Sequence, residues 1–189
     1  MKPGKAMAKI EIVEQRIRSR AGKYIYGVED EELEEIVGKL LLERHLTIAV
    51  AESCTGGLIA DRITNVPGSS AYFERSYVTY SNKSKLADLG VAGSLLASHG
   101  AVSREVAEAM AGGVRLKANS DIGISTTGIA GPGGGSAEKP VGLVWIGYSD
   151  RSDTLALQFN FGDDRRRTKE RAAQAALELV RKKLLTLDH

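Results

Sequence analysis

In AVAESCTGGLIA (residues 49–60) the chain sets Glu52, Ser53, Cys54 and Thr55 directly after an apolar run and just before Gly56 and Gly57. These side chains can supply a nucleophile, and a strand-to-helix turn offers backbone N–H groups near Thr55, Gly56 and Gly57 that would hold an oxyanion. Blander roles compete: Ser53 or Thr55 as a helix cap, and Cys54 as a small buried hydrophobe. A phosphate cradle is a further reading, because glycines let N–H groups approach an anion at a helix start. The segment lacks the Gly-Lys-Ser/Thr ending of a P-loop, and no G-x-G-x-x-G follows, which argues against a generic nucleoside triphosphatase. The stretch alone decides nothing further.

A serine nucleophile needs a base. Of the three histidines, His45 precedes the apolar run, at the end opposite Ser53. His99 falls in ASHGAVS, read as a loop, where a cap or solvent role competes; His189 ends the chain. Spacing pairs none of them with an acid. Lysine is then the candidate, provided burial or a neighbouring cation lowers its pKa. YVTYSNKSKLADLG places Lys83 and Lys85 just past a strand bearing Tyr77 and Tyr80. Spacing does not choose between the two lysines, and a solvated position competes for both. A second unusual segment, TGIAGPGGGS, sets Gly128, Gly131, Gly133, Gly134 and Gly135 around Pro132. Five glycines about a proline argue for a shaped turn that a ligand can approach closely, rather than a slack connection.

The elements that must position these groups alternate. EELEEIVGKLLLER, GLIADRI, SNKSKLADLGV and VSREVAEAMAGGVRLK have helical character, the last with Ser103 as N-cap. Leu46–Ala51, Ala71–Ser81 and Asp121–Thr126 read as strands. PVGLVWIGYSD and TLALQFNF form an antiparallel hairpin turning near Arg151–Asp153, and a long amphipathic helix closes the chain from about Arg165. This is a layered α/β domain with a mixed sheet. Ligands of such sheets settle beyond the carboxyl ends of the parallel strands, where both unusual segments fall. Residues 1–28 read as an arm, a short strand and helix, or a linker remnant, with the domain at 29–189.

Composition narrows the class. A net charge of +2 gives no reason to expect nucleic acid or a membrane surface as partner. One cysteine excludes an internal disulfide and fits a reducing cytoplasm; with three scattered histidines it makes a zinc cage improbable. No apolar stretch approaches the ~20 residues that span a bilayer, and MKPGKAMAKIEI lacks the apolar block of an export signal.

Together, AESCTGG, PGSSAYFERSYVTYSNKSKLADLGV, HGAVSREVAEAMA, TGIAGPGGGSAEKPVGLVWI and FNFGDDRR resemble, in order, the C-terminal domain of the competence/damage-inducible CinA family, from about Glu31 to Leu185. RIRSRAGKYIYG resembles the piece that joins this domain to an N-terminal domain in longer members. The resemblance implies a three-layer α/β/α sandwich similar to anticodon-binding domains, with homo-oligomers common. It implies hydrolysis of a small nucleotide, nicotinamide mononucleotide, to nicotinate mononucleotide and ammonia, without metal or other cofactor. Ser53 matches the family's nucleophile, and Tyr80 and Lys85 match its tyrosine and lysine partners, which selects Lys85 over Lys83. The glycine loop and Arg165 match the mononucleotide side, Arg165 if one extra Asp is allowed for. The chain departs from the pattern at Lys83 and Ser84, usually Glu and Ala, and at Lys169, where a second family arginine becomes a point charge. Two other expectations stand beside the amidase: an interaction domain of competence or DNA-damage responses with little catalysis, and a serine–lysine amidase for another small amide.

Overall fold

The computed structural model describes residues 3–22, 25–27 and 30–187; His189 lies outside them. Five strands form one sheet: β1 (Ile48–Glu52), β2 (Phe73–Val78), β3 (Ile122–Gly128), β4 (Leu143–Ser149) and β5 (Thr154–Asn160), in the order β2-β1-β3-β4-β5. β1 pairs parallel with β2 and β3, whereas β3–β4 and β4–β5 are antiparallel, the last pair being the expected hairpin. The mixed sheet follows from the connections. Helices return the chain between the parallel strands, and a tight turn joins the final two.

Alternation along the strands builds two cores of different character. Ile48, Val50, Ile122, Ile124, Val144 and Ile146 face α2 (Leu33–Glu43), α3 (Leu58–Thr64) and α7 (Arg165–Thr186), which bring Leu33, Val37, Ile59, Ala176 and Val180. The opposite face is lined by small residues, Ala49 and Ala51 among them. Against it pack α4 (Asn82–Leu89), α5 (Gly93–His99) and α6 (Arg104–Ala118), through Leu89, Leu96, Val106, Met110 and Val114. Small strand residues let α6 lie close: a Cβ on Gly123 would strike the carbonyl oxygen of Ala111, and one on Gly147 that of Ala107. Ser125 Oγ uses the same proximity to donate to Ala107 O at 2.6 Å. Helix, sheet and helix form three layers, as expected.

Caps fix the helix starts near the site. Ser103 Oγ accepts from Val106 N at 3.3 Å, and Asp164 Oδ1 accepts from Arg167 N at 2.8 Å. Ser81 and Ser84 form a reciprocal capping box at the head of α4, which Gly90 ends at φ +73°. Three expectations need correction. Residues 3–21 are one helix, α1 (Pro3–Ala21), with no strand; Met7, Ile10, Val13 and Ile17 lie more than half exposed along it. ASHGAVS is not all loop, since His99 is the last residue of α5. The strand expected from Ala71 starts at Phe73, because Ser69–Ala71 make a 3-10 turn.

Candidate active site

Ser53 follows β1 directly and stays in register with the sheet, its N–H donating to Thr126 O at 3.0 Å. Thr79, just past the parallel neighbour β2, is held likewise, its N–H donating to Glu52 O at 2.8 Å. The capping box then starts α4 so that Lys85 and Leu89, four apart on one helix face, point inward. The Lys85 amine ends 3.0 Å from Ser53 Oγ and donates to Thr79 O at 2.7 Å. Lys85 is 1% exposed and Ser53 8%. Burial holds the Lys85 pKa below the ordinary lysine range, with the neighbouring Cys54 opposing the shift in part. A neutral amine in this position donates to Thr79 O and accepts the hydroxyl proton of Ser53. Lys83, two residues earlier, faces solvent.

The neighbours of Ser53 have other tasks. Burial pushes the Cys54 thiol up to about 12, so it stays protonated and unreactive near neutrality. Glu52, fully buried, closes on the head of α3: Oε2 accepts from Gly57 N at 2.9 Å and Ile59 N at 3.1 Å, and Oε1 from Ala60 N at 3.0 Å. This clamp removes Gly57 from the expected oxyanion donors, and the Thr55 side chain is turned into the sheet. The Gly57 N–H is taken by Glu52, and Thr55 is fully buried with Oγ1 2.7 Å from Thr126 Oγ1. Neither they nor Gly56 line the cleft. Gly56 and Gly57, at φ +65° and +99°, instead make the turn that presents Ser53. Sequence reasoning passed over Glu52, although a signal was there: a carboxylate ending a core strand is costly unless something binds it, and the next helix start supplies N–H groups.

The cleft over Ser53 and Lys85 encloses about 260 Å³, and Tyr80, Gly128, Gly131, Gly133 and Arg165 all line it. Arg165 spans its mouth, Nη1 donating to Gly131 O at 2.9 Å and Nη2 to Tyr80 Oη at 2.9 Å. Gly131 has φ +87°, and a Cβ there would meet Val141 Cγ1 at 2.5 Å, so the loop can pass only as glycine. Lys169, half-buried, carries its amine to within 3.7 Å of where a Gly56 Cβ would lie. The histidines are elsewhere. His45 lines a different cleft with Asp121 and Asp150, before β1 and β3, and His99 Nδ1 sits 3.4 Å from Glu105 Oε2. Among the described residues no group of three or more His, Cys, Asp or Glu side chains is placed to hold a metal ion, and no helix is long and apolar enough to cross a membrane.

The family model of the CinA C-terminal domain matches residues 30–184. The chain belongs to this family. A CinA-like protein from Chloroherpeton thalassium is 55% identical over 172 residues, 89% of this chain and 41% of that protein. Among solved structures, competence/damage inducible protein CihA from Agrobacterium tumefaciens matches with a TM-score of 0.76 and 38% identity, over 85% of this chain and 99% of that one. A CinA superfamily protein from Klebsiella pneumoniae matches at 0.79 and 30%, over 83% and 100%. The mixed five-stranded sheet between helices is the fold of these CinA structures. The chain spans less than half the length of the curated relatives it matches.

Proposed function

We propose that this CinA domain is an amidohydrolase that converts nicotinamide mononucleotide to nicotinate mononucleotide and ammonia. One observation carries the reading: a buried lysine amine, its pKa lowered by burial, stands 3.0 Å from the hydroxyl of a serine at the edge of the sheet. Ser53 Oγ attacks the carboxamide carbon while its proton passes directly to neutral Lys85. As the tetrahedral intermediate collapses, the C–N bond breaks and Lys85 returns the proton to the departing nitrogen, which leaves as ammonia. Water then attacks the Ser53 ester with Lys85 again accepting a proton. The ester C–O bond breaks, the proton returns to Ser53 Oγ, and the carboxylate product leaves. The newly charged Lys85 lies beside each tetrahedral oxyanion and stabilises it in a site that largely excludes water. Arg165 and the glycine loop face the phosphate-bearing end of the substrate.

The test is ammonia release from nicotinamide, its riboside and its mononucleotide, by wild type and by Ser53→Ala. The mononucleotide should be preferred and the alanine variant inactive. Undiminished turnover by Ser53→Ala removes Ser53 as nucleophile, and a preference for another amide removes the assigned substrate.

A further inference from the structure

Tyr80 stands beside the serine–lysine pair in the sequence pattern, yet its hydroxyl is engaged elsewhere. Tyr80 is 61% exposed, and its Oη accepts from Arg165 Nη2 at 2.9 Å, across 85 residues of chain. Lys85 meets Ser53 and Thr79 without it. Arg165 is itself distinctive. Its neighbour Arg166 pairs with Glu170, and Arg62 pairs with Glu34, whereas Arg165 makes no ion pair among the described residues. Among the described residues its hydrogen-bond anchors are two neutral oxygens, Gly131 O and Tyr80 Oη. The first anchor is main chain, in a loop locked by Val141 and by a backbone conformation that favours glycine. The second is a single hydroxyl on the far wall. A guanidinium fixed at both ends by neutral acceptors, over a cleft that holds a nucleophile, keeps its full charge and its other N–H donors for an incoming anion.

We propose that Tyr80 is a positioning residue that holds Arg165 across the cleft mouth as the receptor for the substrate's phosphate, and so sets selectivity for the phosphorylated over the unphosphorylated substrate. The inference rests on the mononucleotide reading above, and it gives Tyr80 no part in proton transfer. Fixing the guanidinium before the ligand arrives removes the ordering cost of a long, rotamer-rich side chain at binding.

The experiment is calorimetric titration of nicotinamide mononucleotide and of the riboside into the 189-residue protein, in a Ser53→Ala background so that neither ligand is consumed. Tyr80→Phe, Arg165→Met and the double variant are compared; both side chains are exposed, and thermal melts confirm that each variant folds. Tyr80→Phe should weaken mononucleotide binding about tenfold, the size of one hydrogen bond to a charged group. Arg165→Met should weaken it at least as much, the double variant should lose no more than Arg165→Met alone, and riboside binding should move far less in all three. Losses that multiply in the double variant, an equal loss for the riboside, or a parent that binds both ligands alike would each overturn the proposal. Ammonia release on the Ser53 parent tests the amidase reading separately. The expected binding pattern without any ammonia would end that reading and leave the role of Tyr80 standing.

Discussion

Replacing Lys85 separates chemistry from folding. The side chain is 1% exposed, and methionine fills much the same space with no polar atom. Two effects on stability oppose each other. Thr79 O loses the amine that donates to it at 2.7 Å, and an unsatisfied buried acceptor costs ~1–3 kcal/mol. Against this, the fold no longer shelters an amine whose charged form burial disfavours. The sign of that second effect is fixed. The folded pKa lies below the unfolded one, so the unfolded chain binds more protons between the two values, and stability rises with pH across that interval. The wild type therefore loses stability as pH falls from about 10.5 through the folded pKa, and Lys85→Met lacks this slope. Near neutrality the variant should stay folded, its Tm within several degrees of wild type. Losing a general base removes ~10²–10⁴ in rate, which at about 1.36 kcal/mol per decade is ~2.7–5.4 kcal/mol of barrier. Lys85→Arg supplies a group that stays protonated and so cannot accept the Ser53 proton, and should fall as far. The assay is enzyme-coupled ammonia release from the mononucleotide, with thermal melts and a pH series. The wild type should gain kcat/KM with rising pH through an inflection below the ordinary lysine value. Either variant retaining kcat within tenfold of wild type would refute the base role.

Glu52→Gln replaces an acceptor with a donor facing the N–H groups at the head of α3. It should cost ~2 kcal/mol and lower Tm by about 4–8 °C in calorimetry; an unmoved Tm contradicts the clamp. Cys54, held up to about 12, should resist iodoacetamide at neutral pH under conditions that label an ordinary thiol. Rapid labelling seen by mass spectrometry would contradict its burial. Gly131→Ala forces a side chain into φ +87° and against Val141, so the loop must shift. The expected result is a severalfold rise in KM for the mononucleotide, and an unchanged KM would show that the loop is not shaped for it.

Much of this architecture was legible where a local rule acts alone. The Ser103 cap, the stop at Gly90, the terminal hairpin and the amphipathic run after Asp164 each depend on a few adjacent residues. The helix GSLLASH was missed because it is seven residues long, lies between glycines and buries only Leu96. In α1, Ile10, Ile12 and Val13 satisfy both strand and helix periods, so a strand looked as plausible as the helix that forms. The serine–lysine pair was recognised through family motifs. Spacing could not choose Lys85 over Lys83, because that choice depends on how the Ser81 cap sets the phase of α4. The Glu52 clamp and the Tyr80–Arg165 contact are consequences of folding: one needs the turn through Gly56 and Gly57, and the other joins residues 85 apart in the chain that only the fold brings together.

The most direct measurement is intact-protein mass spectrometry after rapid acid quench of protein mixed with nicotinamide mononucleotide. Covalent attachment of the nicotinoyl mononucleotide to Ser53 in the wild type, absent from Ser53→Ala and formed with loss of ammonia, is the predicted result. Ammonia released at the wild-type rate by Ser53→Ala, or an adduct mapped to any other residue, would contradict it.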